Sequence, residues 1–166
     1  MIGLCAAYAP YHYHGVVQQL VVQLKFGLIK DAARPLADAM EDCIRYATFD
    51  ALVPVPLSKE RLRERGFNQA EVLCEMIAAG RGCNILNPLE RVRNTHRQSS
   101  ILSTKRRERN VDHAFKTIAP VEGLSLLLVD DVRTTGATAR ACAAALLSAG
   151  AKEVALLTAA VAPPRK

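Results

Sequence analysis

Residues 126–139 read LLLVDDVRTTGATA, and the order of chemistry along them decides the fold. Leu126 to Val129 is a short, fully apolar run, which predicts a strand buried on both faces of a parallel sheet. Two adjacent carboxylates follow, Asp130 and Asp131. Next comes a bend rich in hydroxyls and small residues: Thr134, Thr135, Gly136, Ala137 and Thr138. Beyond it, Ala139, Cys142, Ala143, Leu146 and Leu147 recur at helical spacing, and Gly150 supplies a stop. Strand, acidic pair, small-residue bend and helix start, in that order, describe a phosphate site at the carboxyl end of a sheet.

The physical case for a ligand rests on unsatisfied donors. N–H groups at a helix start lack intrahelical acceptors, and the helix dipole adds partial positive charge. Thr134 to Thr138 would wrap those donors and three hydroxyls around a phosphate, with Gly136 free to take a positive φ. The bend has no lysine, so the G-x-x-x-x-G-K-[ST] nucleotide loop is absent. Asp130 and Asp131 would repel a bare phosphate. They suit a neighbouring diol or a hydrated Mg²⁺ instead, because ionised carboxylates accept from hydroxyls and bind hard cations. A phosphate beside a sugar diol is a ribose 5-phosphate. A plain helix cap would explain one such residue but not the whole string.

Composition sets wide bounds around this site. The chain has 166 residues, half of them hydrophobic, enough for one domain with a real core. Lys and Arg number 22 against 16 Asp and Glu, a net charge of +6 that suits polyanionic ligands. Five cysteines (Cys5, Cys43, Cys74, Cys83, Cys142) include no C-x-x-C pair, so neither a zinc ribbon nor a disulfide framework follows. Cys142 is expected in the core. Free thiols and the lack of a signal peptide or long apolar run point to the cytoplasm, without membrane insertion.

Residues 1–48 are expected to form a helical, hood-like N-terminal part, 49–162 the core, and 163–166 a frayed tail. Tyr11 to Tyr13 permits a short strand, and the His12-x-His14 pair lacks further metal ligands at useful spacing. Helices are predicted over Gly15 to Phe26, with Gly27 as a stop, and over Pro35 to Tyr46 with Leu36, Ala39, Met40, Cys43 and Ile44 inward. A second buried strand runs from Ala51 to Val55. Pro54 and Pro56 end it and begin a rigid loop, in which one X-Pro bond could be cis.

After that loop, Lys59 to Arg65 predicts a helical turn with Arg61 and Arg65 on one face and Arg63 pointing elsewhere. Guanidinium groups bind phosphates in a forked geometry, and this turn abuts the proline loop. Gly66 breaks the turn and Asn68 caps a helix over Gln69 to Ala79, with Leu73 and Ile77 buried. Leu89 to Thr95 alternates like a strand. His96 to Arg109 is basic and poor in apolar residues; it is expected to be a flap that closes over the site, after which Val111, Ala114 and Phe115 return to the core. Val154 to Ala160 predicts a closing apolar strand.

VDDVRTTGAT resembles the phosphoribosyl-pyrophosphate (PRPP) motif of type I phosphoribosyltransferases. That likeness implies a mostly parallel α/β sheet flanked by helices, with a small hood and a flexible flap. It implies that Asp130 and Asp131 meet the ribose hydroxyls, directly or through Mg²⁺, and that Thr134, Thr135, Gly136, Ala137 and Thr138 hold the 5-phosphate. The pyrophosphate side would comprise Pro56, Leu57, Ser58, Arg61, Arg65 and Arg107. A wider set narrows the family: Tyr13-x-Gly15, Leu24-Lys25-Phe26, Val53-Pro54-Val55-Pro56-Leu57, Arg65-Gly66-Phe67-Asn68-Gln69-Ala70, Arg91, Thr95 and Gln98 with Leu102-Ser103, and Arg107-x-x-Asn110-Val111. In this order they resemble the ComF family of competence and DNA-utilisation proteins. The four-Cys zinc ribbon usual at the start of full-length members is absent from these 166 residues, which puts in doubt any function resting on it.

Two functions are implied. One is phosphoribosyl transfer from PRPP with Mg²⁺ and release of pyrophosphate, to an acceptor the sequence does not reveal. The other is a non-catalytic competence factor that binds single-stranded DNA, with PRPP as a regulatory or relic ligand. The 5% aromatic content counts against the stacking platforms that single-strand binders use. A sensor reporting PRPP to a partner in the competence machinery is a third reading, and the resemblance leaves room for a homodimer.

Overall fold

The computed structural model describes residues 3–26, 32–92 and 114–163. Its frame is a parallel sheet around two long strands, β7 (Ser125–Arg133) and β8 (Glu153–Val161). β3 (Ala51–Pro54) and β4 (Asn84–Ile85) extend the sheet beyond β7. β1 (Ala7–Tyr8) and β2 (Tyr11–His12) both pair with the far side of β8. The order is β1-β8-β7-β3-β4, and every pairing in it is parallel.

The apolar run behaves as its composition dictates. Leu126 to Val129 are at most 1% exposed, because helices cover both faces of the sheet. Strand alternation divides the core. Leu127 and Val129 join Leu36 and Met40 of α2 (Ala33–Cys43) and Leu73 and Ile77 of α4 (Gln69–Arg81). Leu126 and Leu128 join Cys142, Ala143 and Leu146 of α5 (Ala137–Ser148), with Leu89 and Phe115. These last two belong to a separate antiparallel pair, β5 (Leu89–Arg91) and β6 (Phe115–Thr117).

Several expectations are corrected. β7 runs on through the acidic pair to Arg133, because its ladder to β8 continues to Arg133↔Val161. The carboxylates therefore sit within the strand's last turns of pleat, not after it. α2 starts earlier and stops earlier than expected. Ala37 rather than Ala39 is fully buried, and Cys43 is exposed, since the helix turns its last residue away from α4. No peptide bond among the described residues is cis. The N-terminal part joins the main body: β1 and β2 extend the sheet, and Val21 and Leu24 of α1 (Gly15–Lys25) share the core with α2. The expected flap, Arg107, Val111, the Gly27 stop and the last three residues of the tail lie outside the described residues.

Candidate functional site

A cleft of about 360 Å³ opens at the carboxyl ends of β3 and β7, where parallel sheets place their ligands. Asp130 and Asp131 form part of its wall, with Thr134 and Thr138 from the bend, Pro56 and Leu57 from the proline loop, and Arg61 and Arg65 from α3 (Lys59–Arg65). Residues from two stretches of sequence, 56–65 and 130–138, thus face one space.

The Arg65-Gly66-Phe67-Asn68-Gln69 segment explains how two of these walls are fixed. Gly66 ends α3 at φ 77°, a left-handed position that favours glycine. Asn68, 4% exposed, works in two directions. Its Oδ1 accepts from the Ala70 N–H at 3.1 Å and caps α4, and its Nδ2 donates to the Val55 carbonyl at 3.1 Å. The proline loop is thereby tied to a helix start. Gln69, also buried, accepts from Arg65 Nη1 at 2.7 Å and aims that guanidinium into the cleft. The buried Ser58 hydroxyl caps α3, accepting from the Arg61 N–H at 3.3 Å, and Ser58 is not among the residues lining the cleft. Arg63 is not among the lining residues.

At the end of β7, each carboxylate accepts from the backbone beyond it. Asp130 Oδ1 takes the Asp131 N–H at 2.8 Å, and Asp131 Oδ1 takes the Val132 N–H at 2.6 Å. The second oxygen of Asp131 meets Lys25 Nζ at 2.8 Å, bringing the end of α1 into the site. Burial first, and then the neighbouring negative charge of Asp131, push the Asp130 carboxyl up from 3.8 to about 7. Arg91 of β5 enters from the opposite side, with its guanidinium 5.5 Å from the Phe115 ring centroid. Burial, followed by the proximity of Arg61, lowers its pKa from the ordinary value.

The bend is a braced helix start. Gly136 stands at φ 74° before α5, Thr135 Oγ1 accepts from the Ala137 N–H at 3.3 Å, and Arg140 Nη1 donates to the Thr135 carbonyl at 2.9 Å. Thr134 to Thr138 also line a second, smaller cavity of about 40 Å³ beside the main cleft, together with Asp130 and Thr158 of β8. Lys25, Arg91, Asn68, Gln69 and Thr158 are site residues that residue-by-residue reading did not assign. Their signals were weak but present: Lys25, Arg91, Asn68 and Gln69 fall in the family-like motifs, and Thr158 is the one hydroxyl in an apolar strand.

No protein-family model matches the chain. Individual relatives do. The DNA utilization protein YhgH of Salmonella typhi is 39% identical over 143 residues, covering 81% of this chain and 63% of that protein. YhgH of Escherichia coli K12 is 34% identical over 157 residues, 90% of this chain and 66% of that protein. Competence protein ComFC of Bacillus subtilis is 41% identical over 99 residues, 60% of this chain and 39% of the relative. The chain belongs to the ComF family. It spans about two thirds of the length of the YhgH relatives.

Solved structures agree on the fold of this ComF-family chain. The glutamine PRPP amidotransferase of Bacillus subtilis, solved with ADP and GMP, superposes with a TM-score of 0.53 at 19% identity, over 82% of this chain and 30% of that one. Leishmania donovani UMP synthase gives 0.50 at 16% identity, over 83% and 24%. The fold is that of the type I phosphoribosyltransferases. Among the described residues, no helix is long and apolar enough to cross a membrane.

Proposed function

We propose that this chain binds PRPP with Mg²⁺ and transfers the phosphoribosyl group to an acceptor, releasing pyrophosphate. The observation that carries the reading is the meeting, in one cleft, of an acidic pair, a helix-start bend and the guanidiniums of Arg61, Arg65 and Arg91. The residues fit a cation as well. Lys25 places an ammonium against Asp131 at 2.8 Å, which supports reading this end of β7 as a seat for positive charge. Asp130 and Asp131 would hold the metal, which when bound supplies counter-charge to the pyrophosphate as it leaves.

The chain's own groups account for the rest. Transfer at a sugar carbon depends on fixed geometry and on stabilising the leaving group more than on a strong base. The bend's N–H groups and hydroxyls anchor the 5-phosphate end. Arg61, Arg65 and Arg91 face the pyrophosphate end, where fork-shaped donors match phosphate oxygens. Asn68 ties the proline loop to the start of α4, and Gln69 holds the Arg65 guanidinium. The names of the relatives suggest DNA utilisation and competence as the cellular setting.

The test is calorimetry of PRPP with MgCl₂, followed by pyrophosphate release against a panel of nucleobases and amines. Mg²⁺-dependent binding should vanish in the Asp130→Asn/Asp131→Asn double variant. No heat and no thermal shift with the wild-type chain would refute the reading. Steeply salt-sensitive binding of single-stranded DNA, with no response to PRPP, would favour the DNA-binding alternative.

A further inference from the structure

Thr158 stands out within β8. Its side chain is 1% exposed, and among the described residues its Oγ1 is the buried side-chain polar atom that has no hydrogen-bond partner. A hydroxyl taken from water without a partner is destabilising, and folded proteins rarely keep one without a use for it. Valine, of the same shape, would fill the position without that cost.

The surroundings show what use is available. Thr158 pairs with Asp130 in the β7–β8 register, so both side chains leave the sheet on the face covered by α5. Both line the 40 Å³ cavity, and the bend from Thr134 to Thr138 closes its other side. That volume exceeds the roughly 10–15 Å³ a single water needs. The start of α5, a twelve-residue helix, contributes the wall opposite, with its N–H donors and positive dipole end. An unpaired donor thus lies at the floor of a pocket whose rim already favours anions.

We propose that Thr158 is a binding residue of the phosphate subsite, its hydroxyl donating to the 5-phosphate end of a phosphosugar, and that it lets the site tell a phosphorylated ribose from a free one. This deepens the PRPP reading and rests on it for the identity of the sugar. Asp130, in the same wall, is the competing acceptor for that hydroxyl, and the two partners make different predictions.

The experiment compares wild type, Thr158→Val and Thr158→Ser. Calorimetry in MgCl₂ measures ribose 5-phosphate and pyrophosphate separately, and thermal unfolding is followed without ligand. Thr158→Val should bind ribose 5-phosphate about tenfold more weakly or worse, the worth of a hydrogen bond to a charged acceptor. It should bind pyrophosphate as the wild type does, and unfold some 2–4 °C higher. Thr158→Ser should restore the ribose 5-phosphate affinity. Equal ribose 5-phosphate binding by wild type and Thr158→Val would overturn the assignment while leaving the PRPP reading intact. Lower thermal stability of Thr158→Val would show that the hydroxyl is already satisfied, by Asp130, and overturns it as well. If the wild type binds PRPP but no ribose 5-phosphate at all, this assignment falls while the PRPP reading stands; if it binds neither, both fall.

Discussion

Replacing Asp130 by Asn should stabilise the ligand-free protein at alkaline pH. The Asp130 carboxyl is raised from 3.8 to about 7, chiefly by burial and then by the charge of Asp131. A carboxyl raised by folding binds its proton more tightly in the native state than in the unfolded chain. The stability tied to that proton is fully present below about 4 and is lost as the pH climbs through about 7. The separation between the two values corresponds to at most about 4 kcal/mol. Asp130 keeps one edge open to the cleft and titrates together with Asp131, so an effect of roughly 1–2 kcal/mol is expected. Asparagine is neutral throughout and retains an oxygen to accept the Asp131 N–H, now at 2.8 Å from Asp130 Oδ1. Urea unfolding of both proteins at pH 5, 6, 7 and 8, without divalent cations, isolates the difference. The variant should already lead slightly at pH 5 and gain on the wild type with rising pH, to roughly 1–2 kcal/mol at pH 8. A variant that is no more stable at pH 8, with a difference independent of pH, would show that Asp130 is not held as a neutral acid.

Other perturbations address the remaining walls. Lys25→Met removes the ammonium 2.8 Å from Asp131; the ligand-free protein should lose about 1 kcal/mol, and Mg²⁺, freed of a competitor, should protect it at lower concentration in thermal-shift titrations. Arg65→Ala deletes a guanidinium aimed by Gln69, so pyrophosphate affinity by calorimetry should fall about tenfold and depend less on salt. Asn68→Ala abolishes both the α4 cap and the tether to the Val55 carbonyl and should cost about 1–2 kcal/mol in urea unfolding. Asn68→Asp should recover the cap but not the tether, and so only part of the loss. Gly136→Ala forces a Cβ onto a residue at φ 74°, lowering stability by about 1 kcal/mol and weakening ribose 5-phosphate binding.

Much of the architecture was legible because the decisive residues carry local signals. The Leu126–Val129 run, the prolines after Val53, the Gly66 stop and the Asn68 cap each express a preference of a few neighbouring residues, and each appears as expected. The extension of β7 through Asp130 and Asp131 was not legible. Two adjacent acids have low strand propensity, and only the β8 ladder holds them extended. Cys43 and Ala39 were misassigned because α2 stops at Cys43 and its buried stripe runs through Ala33, Leu36, Ala37 and Met40. Periodicity gives a stripe but not which neighbour ends it. Lys25 and Arg91 reach the cleft from α1 and β5, and Thr158 reaches the smaller cavity from β8, all separated from the central motif by topology. Their roles depend on long-range placement that no local pattern encodes.

The sheet order carries a consequence for how this chain is assembled. β1 and β2 have β8 as their partner, with Ala7 opposite Leu156 and Tyr11 opposite Ala160. The chain must therefore be synthesised through β8 before those two strands find a neighbour. Pairings so distant along the chain form slowly, since the loop entropy is lost before the contacts are gained. Until β8 slots in, β7 presents an open apolar edge, the kind of surface that nascent chains commonly hand to chaperones.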